Sequence, residues 1–283
     1  MAPRSHATAR QVRLGTELRR LREAAGLKAR EVAELLNSTS AQISQVELGL
    51  SGASEERVRR LAAHYACTDE ALIDALVEMA TDRTRGWWEE YRGVLPPVFL
   101  DVSEAEHHAT FIREVVITHV PGLLQTADYA RAVFRYMRPE LPDSEVTPRV
   151  EHRLRRRVVI EGDAPTPYET IVHEFALRVR VADRRASLDQ LRFILGKIED
   201  GHATVRVIPI DQDGFGGTGA SMMYLGGAVP MLDTGLRDSP TGTGFIDAAA
   251  QLAQLRTLLR RVEEASLDPV ASRDFIHRLA KDL

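Results

Sequence analysis

Residues 28–49, KAREVAELLNSTSAQISQVELG, carry the pattern of two short helices joined by a tight turn. Val32, Ala33, Leu35 and Leu36 recur at helical spacing and predict a short helix with those side chains facing a core. Asn37 follows where the chain must turn sharply, and asparagine tolerates the left-handed backbone that such a turn needs. Thr39 is placed to cap a second helix, its hydroxyl accepting a hydrogen bond from an otherwise unpaired backbone N–H. On that helix Ile43 and Val46 point inward, whereas Ser40, Ala41, Ser44 and Gln45 share the opposite face. That face is small and polar, with no apolar group to hide. A helix of this kind can enter the major groove of DNA and read base edges.

The flanks extend the pattern. In residues 12–27, VRLGTELRRLREAAGL, Leu14, Leu18 and Leu21 form one stripe, with Arg19, Arg20 and Arg22 around the outside. After the pair of helices, Ser54 can cap a helix carrying Val58, Leu61, Ala62 and Tyr65. Thr68 can cap another with Leu72, Ile73, Leu76 and Met79. Residues Leu14 to Tyr65, on LGTELRRLREAAGL, VAELL and QISQVELG, resemble the Cro/CI-type (xenobiotic-response-element) helix-turn-helix regulators, whose DNA-binding unit has five short helices.

The resemblance implies that Thr39 caps the recognition helix, that Ser40, Ala41 and Gln45 meet base edges, and that Glu47 and Gly49 close the helix. Gln42, Ser44, Lys28 and Arg30 complete the candidate DNA-binding set. Two positions depart from the family. Ala29 stands where the family often has a glutamine that bonds a phosphate and braces the recognition helix, and Ala53 stands where it often has a proline. The first removes a phosphate clamp and leaves the fold untouched.

At 283 residues the chain is long for one helical domain and comfortable for two. A hydrophobic content of 44% and a charged content of 28% suit a globular protein with a sizeable core. Cys67 is the only cysteine, which excludes a disulfide framework and a cysteine-based zinc site and fits a reducing cytoplasm. There is no apolar run of membrane-spanning length and no signal-peptide core, so the expected location is cytoplasmic, at the nucleoid when DNA-bound. Residues 1–10 are small and polar and expected to fray, with Arg4 and Arg10 able to reach a phosphate backbone. The net charge of −4 is unevenly spread. Through Thr68 there are eleven Lys and Arg against seven Asp and Glu, so a basic head precedes an acidic body.

The expected division is a helix-turn-helix domain over 1–80, a linker over 81–86 (TDRTRG) and an effector and dimerisation domain over 87–283. Trp87, Trp88 and Tyr91 crowd three aromatics together, either as the wall of a ligand pocket or partner surface or as a packing anchor. Pro96 and Pro97 are expected to end their helix. Ser103 with Glu106 reads as a capping box opening a long helix through Ala109, Phe111, Ile112 and Val115. Residues 120–133, VPGLLQTADYARAV, follow as an extended run, a Pro-Gly turn and a helix capped by Thr126. With WWEEYRGVLPP (87–97) and HEFALR (173–178), they resemble the effector half of the actinobacterial WhiJ-type regulators over almost all of the remaining chain. Trp87, Trp88, Tyr91, Leu124, Gln125 and Tyr129 are the candidate effector or partner residues.

A further helix is expected between Val146 and Ile160, with Arg153, Arg155, Arg156 and Arg157 solvated or paired with Glu145 and Glu151. YETIVHEFAL reads as a strand running into a turn or short helix, and SLDQLRFILGKIED as a helix capped by Ser187 with Gly201 just past its end. Strands are expected near Val205, Met222 and Met231. The loop DQDGFGGTGA looks like a phosphate cradle, but a dinucleotide site needs a helix directly after it. SMMYLGG and VPMLDT follow instead and read as strands. Helices from about Phe245 to Ala265 and from Pro269 close the chain. The fold class expected is mainly α with a small sheet, α+β: a five-helix repressor-type head before a larger α+β effector domain.

Nothing in the sequence supplies a nucleophile–base spacing, a metal set or a phosphate loop, so an enzyme, a cofactor and a metal are not expected. The nine histidines lack a two-ligand helical spacing. The expected partners are double-stranded DNA carrying an inverted repeat, a second copy of the chain, and a small-molecule effector or small protein. The antitoxin-like alternative, capture of a small neighbouring protein with autoregulation, is what the effector resemblance also allows. Dimer contacts are expected after Trp87, chiefly on the Leu- and Ala-rich helix from Ala248 to Leu259.

Overall fold

A computed structural model describes residues 7–239 and 242–283. The chain divides into two compact units, Met1–Glu89 with Ala228–Met231, and Glu90–Gly227 with Leu232–Leu283. The boundary falls between Glu89 and Glu90, beyond the segment 81–86 expected as the linker. Arg4 lies outside the described residues.

The first unit is built from α1 (Ala9–Ala24), α2 (Ala29–Leu35), α3 (Ser40–Glu47), α4 (Glu55–His64) and α5 (Glu70–Thr81). Thr8, Thr39, Ser54 and Asp69 cap α1, α3, α4 and α5 through their side chains. Asp69 therefore takes the role expected of Thr68, and its carboxylate also suits the positive end of a helix. Leu18, Val32, Ile43, Val58, Leu61, Leu72 and Leu76 are buried together. Leu35, expected inward, is 48% exposed, because the seven-residue α2 ends there and its last turn looks outward. Arg10 is not frayed; it lies in α1 and pairs with Asp82 at 3.6 Å.

The second unit opens with a 3-10 turn over Trp87–Tyr91, whose first residues belong to the other unit, followed by α6 (Pro97–His107). Pro97 starts this helix instead of ending one, since a proline at the first helical position gives up an N–H that has no partner anyway. The long helix expected from Ser103 does not form. Ser103 and Glu106 are buried within α6, and the chain leaves that helix to enter β1 (Ile112–Val116). Then come α7 (Ala127–Met137), α8 (Asp143–Arg155), α9 (Val158–Glu161), β2 (Tyr168–His173), α10 (Glu174–Arg178), α11 (Arg184–Glu199) and β3 (Thr204–Ile208). Asp183, not Ser187, caps α11. A loop leads to β4 (Met222–Leu225), β5 (Thr234–Ser239) and β6 (Gly242–Ile246), and α12 (Ala249–Glu264) and α13 (Pro269–Asp282) close the chain. Pro230–Leu232 is a 3-10 turn where a strand was expected near Met231. Phe245 and Ile246 belong to β6, so α12 starts later than the apolar pattern suggests.

The strands form one sheet in the order β3-β2-β1-β4-β5-β6. β1, β2 and β3 run parallel through helical crossovers, and β4 to β6 continue as antiparallel neighbours. Side chains alternate between the two faces. Ile112, Val116, Val172, Val205, Val207 and Leu225 pack with Leu191 and Ile194 of α11 and Ile276 and Leu279 of α13. Val115, Ile171, Ile208, Met222 and Tyr224 lie under Leu252, Leu255, Leu259 and Val262 of α12. Gly235 lets α12 approach, because a Cβ there would sit 2.5 Å from a Leu255 methyl. The fold class is α+β, with helices on both faces of a mixed sheet. Leu252, Leu255 and Leu259 of α12, expected to exceed what a small sheet covers, are instead buried against it, with Leu258 partly so.

Candidate nucleic-acid interface

Helix α3, the expected recognition helix, is held in place from both ends and from behind. At its start the Thr39 hydroxyl accepts from the Gln42 N–H at 3.2 Å. Gln42 Oε1 returns the bond, accepting from the Thr39 N–H at 3.3 Å and from the Ser38 hydroxyl at 2.6 Å. This reciprocal cap satisfies two donors that the first turn would leave unpaired. The turn before it passes through Asn37 at φ 48, the left-handed conformation that asparagine tolerates.

At the other end Glu47 receives a two-pronged bond from Arg22, Nε to Oε1 at 2.6 Å and Nη2 to Oε2 at 2.9 Å. Arg22 also donates to the Leu27 carbonyl at 2.7 Å, so one guanidinium ties α3 to the end of α1 and the turn after it. Its hydrogen bond to Glu47 holds the Arg22 guanidinium above its ordinary value. Burial, with Glu47 close by, pushes the Tyr65 phenol up to about 12. Gly15 lets α1 and α3 touch, since a Cβ there would lie 2.3 Å from the Glu47 carbonyl oxygen. Gly49, at φ +72, sits against Gln11 in the same way, where a Cβ would approach the backbone to 2.7 Å.

Behind the helix Ile43 and Val46 are buried, and in front Ser40, Ala41, Gln42 and Ser44 are exposed, with Gln45 partly so. The residues expected to face DNA thus share the outward surface of one helix whose position is fixed by α1. Lys28 and Arg30 stand exposed at the start of α2. Arg30 meets Glu34 at 3.2 Å, but both are so exposed that the pair is worth little and can open to a phosphate. Gln42, by contrast, has its carbonyl oxygen committed to the cap.

Arg22 was expected on the outside. It follows Leu14 and Leu18 at intervals of four, which is the spacing that could have placed it on the inner stripe. What hid it was its charge, and the compensating Glu47 lies 25 residues away.

The effector candidates separate. Trp88 is 3% exposed and its ring lies against Gly86, while Trp87 is partly exposed, with the two rings edge-to-face at 6.1 Å. Tyr91, across the unit boundary, meets His152 edge-to-face at 5.0 Å. Leu124, Gln125 and Tyr129 are buried in the second unit. The Tyr129 hydroxyl accepts from the Val120 N–H at 3.0 Å, and Gln125 Nε2 donates to the Val120 carbonyl at 2.8 Å. These two bonds explain why VPGLLQTADY carries those residue types: they fold the loop onto the helix after it. A cleft of about 540 Å³ opens at the starts of β1, β2 and β3, lined by residues such as Phe111, Arg113, Pro167 and His202, and none of the six candidates lines it.

The second unit also buries charge, which the sequence reading placed in solvent. Arg156 makes a two-pronged bond with Glu106 of α6, Nε to Oε2 at 2.9 Å. Glu114 is buried beside the Tyr168 hydroxyl, which donates to it at 2.7 Å; burial pushes its carboxyl up to about 7 against the pull of that bond and of Arg156. His152 Nε2 lies 3.1 Å from the Ser103 hydroxyl, and burial with Arg156, Arg153 and Arg155 brings the imidazole down to about 3.

A capped helix-turn-helix with a polar outer face defines the class of this protein: a DNA-binding regulator. Residues 13–76 match the family described as Helix-turn-helix domain, and residues 99–278 match that described as Domain of unknown function (DUF5753). The second match spans more than half of the chain, which therefore belongs to the DUF5753 family. No curated protein and no solved structure matches the chain. Among the described residues no helix is long and apolar enough to cross a membrane.

Proposed function

We propose that this protein is a sequence-specific transcriptional regulator of the Cro/CI type that binds an inverted repeat as a homodimer and receives a signal through its second unit, as its likeness to WhiJ-type regulators suggests. One observation carries the reading: the outer face of α3 is free for base contact while Arg22–Glu47 and Gly15 hold its back to α1. Ser40, Ala41, Ser44 and Gln45 take the base edges, and Lys28 and Arg30 take phosphates. The protein works in the cytoplasm without a cofactor. We assign it no catalysis; Ser103 and His152, a hydroxyl and an imidazole 3.1 Å apart, are shut away from solvent.

One recognition helix reads few bases, so two copies on half-sites about 34 Å apart are needed for useful specificity. The second copy is expected to bind through the second unit, where the outward side of α12 offers Ala249, Ala253 and Thr257. Light scattering on the full chain tests this, with a monomer refuting it.

The test of the DNA reading is a footprint of the full-length protein on the DNA upstream of its own gene. Gln45→Ala should lower specific affinity by about 1–3 kcal/mol, because glutamine pairs two-pronged with adenine, and leave binding to random DNA nearly unchanged. Equal losses on both DNAs sink the assignment.

A further inference from the structure

We propose that Arg153 and Arg157, which converge on Gln125, form a binding site for the carboxylate or phosphate group of a small-molecule anion. Arg153 Nη1 donates to Gln125 Oε1 at 3.0 Å, and Arg157 donates to the carbonyl oxygen of the same residue. Each guanidinium lies over an aromatic ring, Arg153 over Phe134 at 4.6 Å and Arg157 over Phe193 at 4.4 Å. Both remain partly accessible.

The other arginines of the segment have glutamates: Arg149 has Glu145, Arg155 has Glu90 and Arg156 has Glu106. Among the described residues Arg153 and Arg157 have none within ion-pair distance. Glu161, the acid next along the chain, is taken by Lys197 at 2.8 Å. Arg157 Nε is buried and has no hydrogen-bond partner among the described residues. Burial, then the neighbouring Arg156, brings the Arg153 guanidinium down to about 10 against the weaker pull of Asp238, Glu114 and Glu106, and burial lowers Arg157 against that of Glu161. Both are still cations at neutral pH.

Two desolvated cations sharing one neutral partner are costly to keep. Both residues are partly accessible, and the guanidinium N–H groups not turned to Gln125 suit the paired oxygens of a carboxylate or phosphate. An anion would supply the directly paired charge that the more distant Asp238, Glu114, Glu106 and Glu161 do not. Use of this site as the regulator's input rests on the function proposed above; binding itself does not.

The test is thermal unfolding of the full-length protein in chloride buffer, with inorganic phosphate in one arm and acetate in the other at constant ionic strength. At least one oxyanion should raise Tm saturably, by about 3–5 °C at ten times its Kd. Whichever arm responds names the group. The rise should vanish in Arg153→Gln and persist in Arg155→Gln, whose arginine is already paired. Arg157→Lys keeps the charge and loses the fork, so it should weaken the response even if Arg153→Gln fails to fold. No shift with either oxyanion, or an undiminished shift in Arg153→Gln or Arg157→Lys, overturns the site. DNA binding by the same variants keeps the two readings apart, since the anion site can fail while the operator is still bound.

Discussion

The two units use arginine in opposite ways. In the first, Arg19, Arg30 and Arg59 lie on helix surfaces, each matched with an acid one turn away, while Arg13 and Arg22 are buried, Arg13 with Glu17 of its own helix and Arg22 with Glu47 of α3. In the second, one helical segment sends Arg153, Arg156 and Arg157 toward the interior. Surface pairs at that spacing add a few tenths of a kcal/mol each and keep the unit soluble. Where an inward arginine finds its counter-charge on another element, the pair fixes where that element lies. Arg22 places α3 through Glu47, and Arg156 places α6 through Glu106. In the first unit one buried pair, Arg22–Glu47, joins two helices, whereas the second spreads buried charge over α6, β1, β2 and the segment after α8.

The largest effect should come from breaking those two pairs. Arg22→Met and Arg156→Met each strand a buried glutamate and should each cost about 3–5 kcal/mol in urea unfolding. Under conditions where both variants remain folded, Arg22→Met should also lose DNA affinity and Arg156→Met should retain it. Equal DNA losses would erase the distinction between a pair that positions a reading helix and one that does not.

Glu114 sharpens the comparison through pH. Its folded value of about 7 lies above the ordinary 4.5, so between those values the folded chain holds a proton that the unfolded chain has released. Stability therefore falls as pH rises through that window, by roughly 3 kcal/mol between pH 5 and pH 8. Glu114→Gln keeps an acceptor for Tyr168 and should flatten that part of the profile. A wild-type stability that does not fall over this range would contradict the buried neutral carboxyl.

The smallest expected effect lies in the first unit. Thr39→Ala removes the hydroxyl half of the cap on α3 and should cost about 1 kcal/mol, measured by chemical denaturation. Because Gln42 and Ser38 remain, the helix should persist. A loss as large as that of Arg22→Met would mean that the cap, and not the ion pair, holds the recognition helix.

The five helices of the first unit were legible in the sequence, although Arg22, Leu35 and the Asp69 cap were not. Its helices are short and its contacts largely local, so the spacing of Val32, Ile43, Val46, Val58 and Leu61 and the caps at Thr39 and Ser54 carry the information. The left-handed Asn37 and the outward face of α3 were readable for the same reason. Thr126 before α7, the strand at Tyr168–His173 and the closing helix from Pro269 were legible too.

Only the tertiary structure decided what Phe111, Ile112 and Val115 would do. Their spacing fits a helix, yet Ile112–Val116 gains two strand neighbours and a core on each face, a burial that local propensity cannot foresee. The β5–β6 hairpin was hidden by its glycines and polar residues, which pair well but carry no apolar alternation. The direction of the arginines was hidden as well, because a charge reads as solvent-facing until its partner is known. Glu47 stands 25 residues from Arg22 and Glu106 stands 50 from Arg156. Such pairs are formed by the fold across distances that no helical or strand period spans.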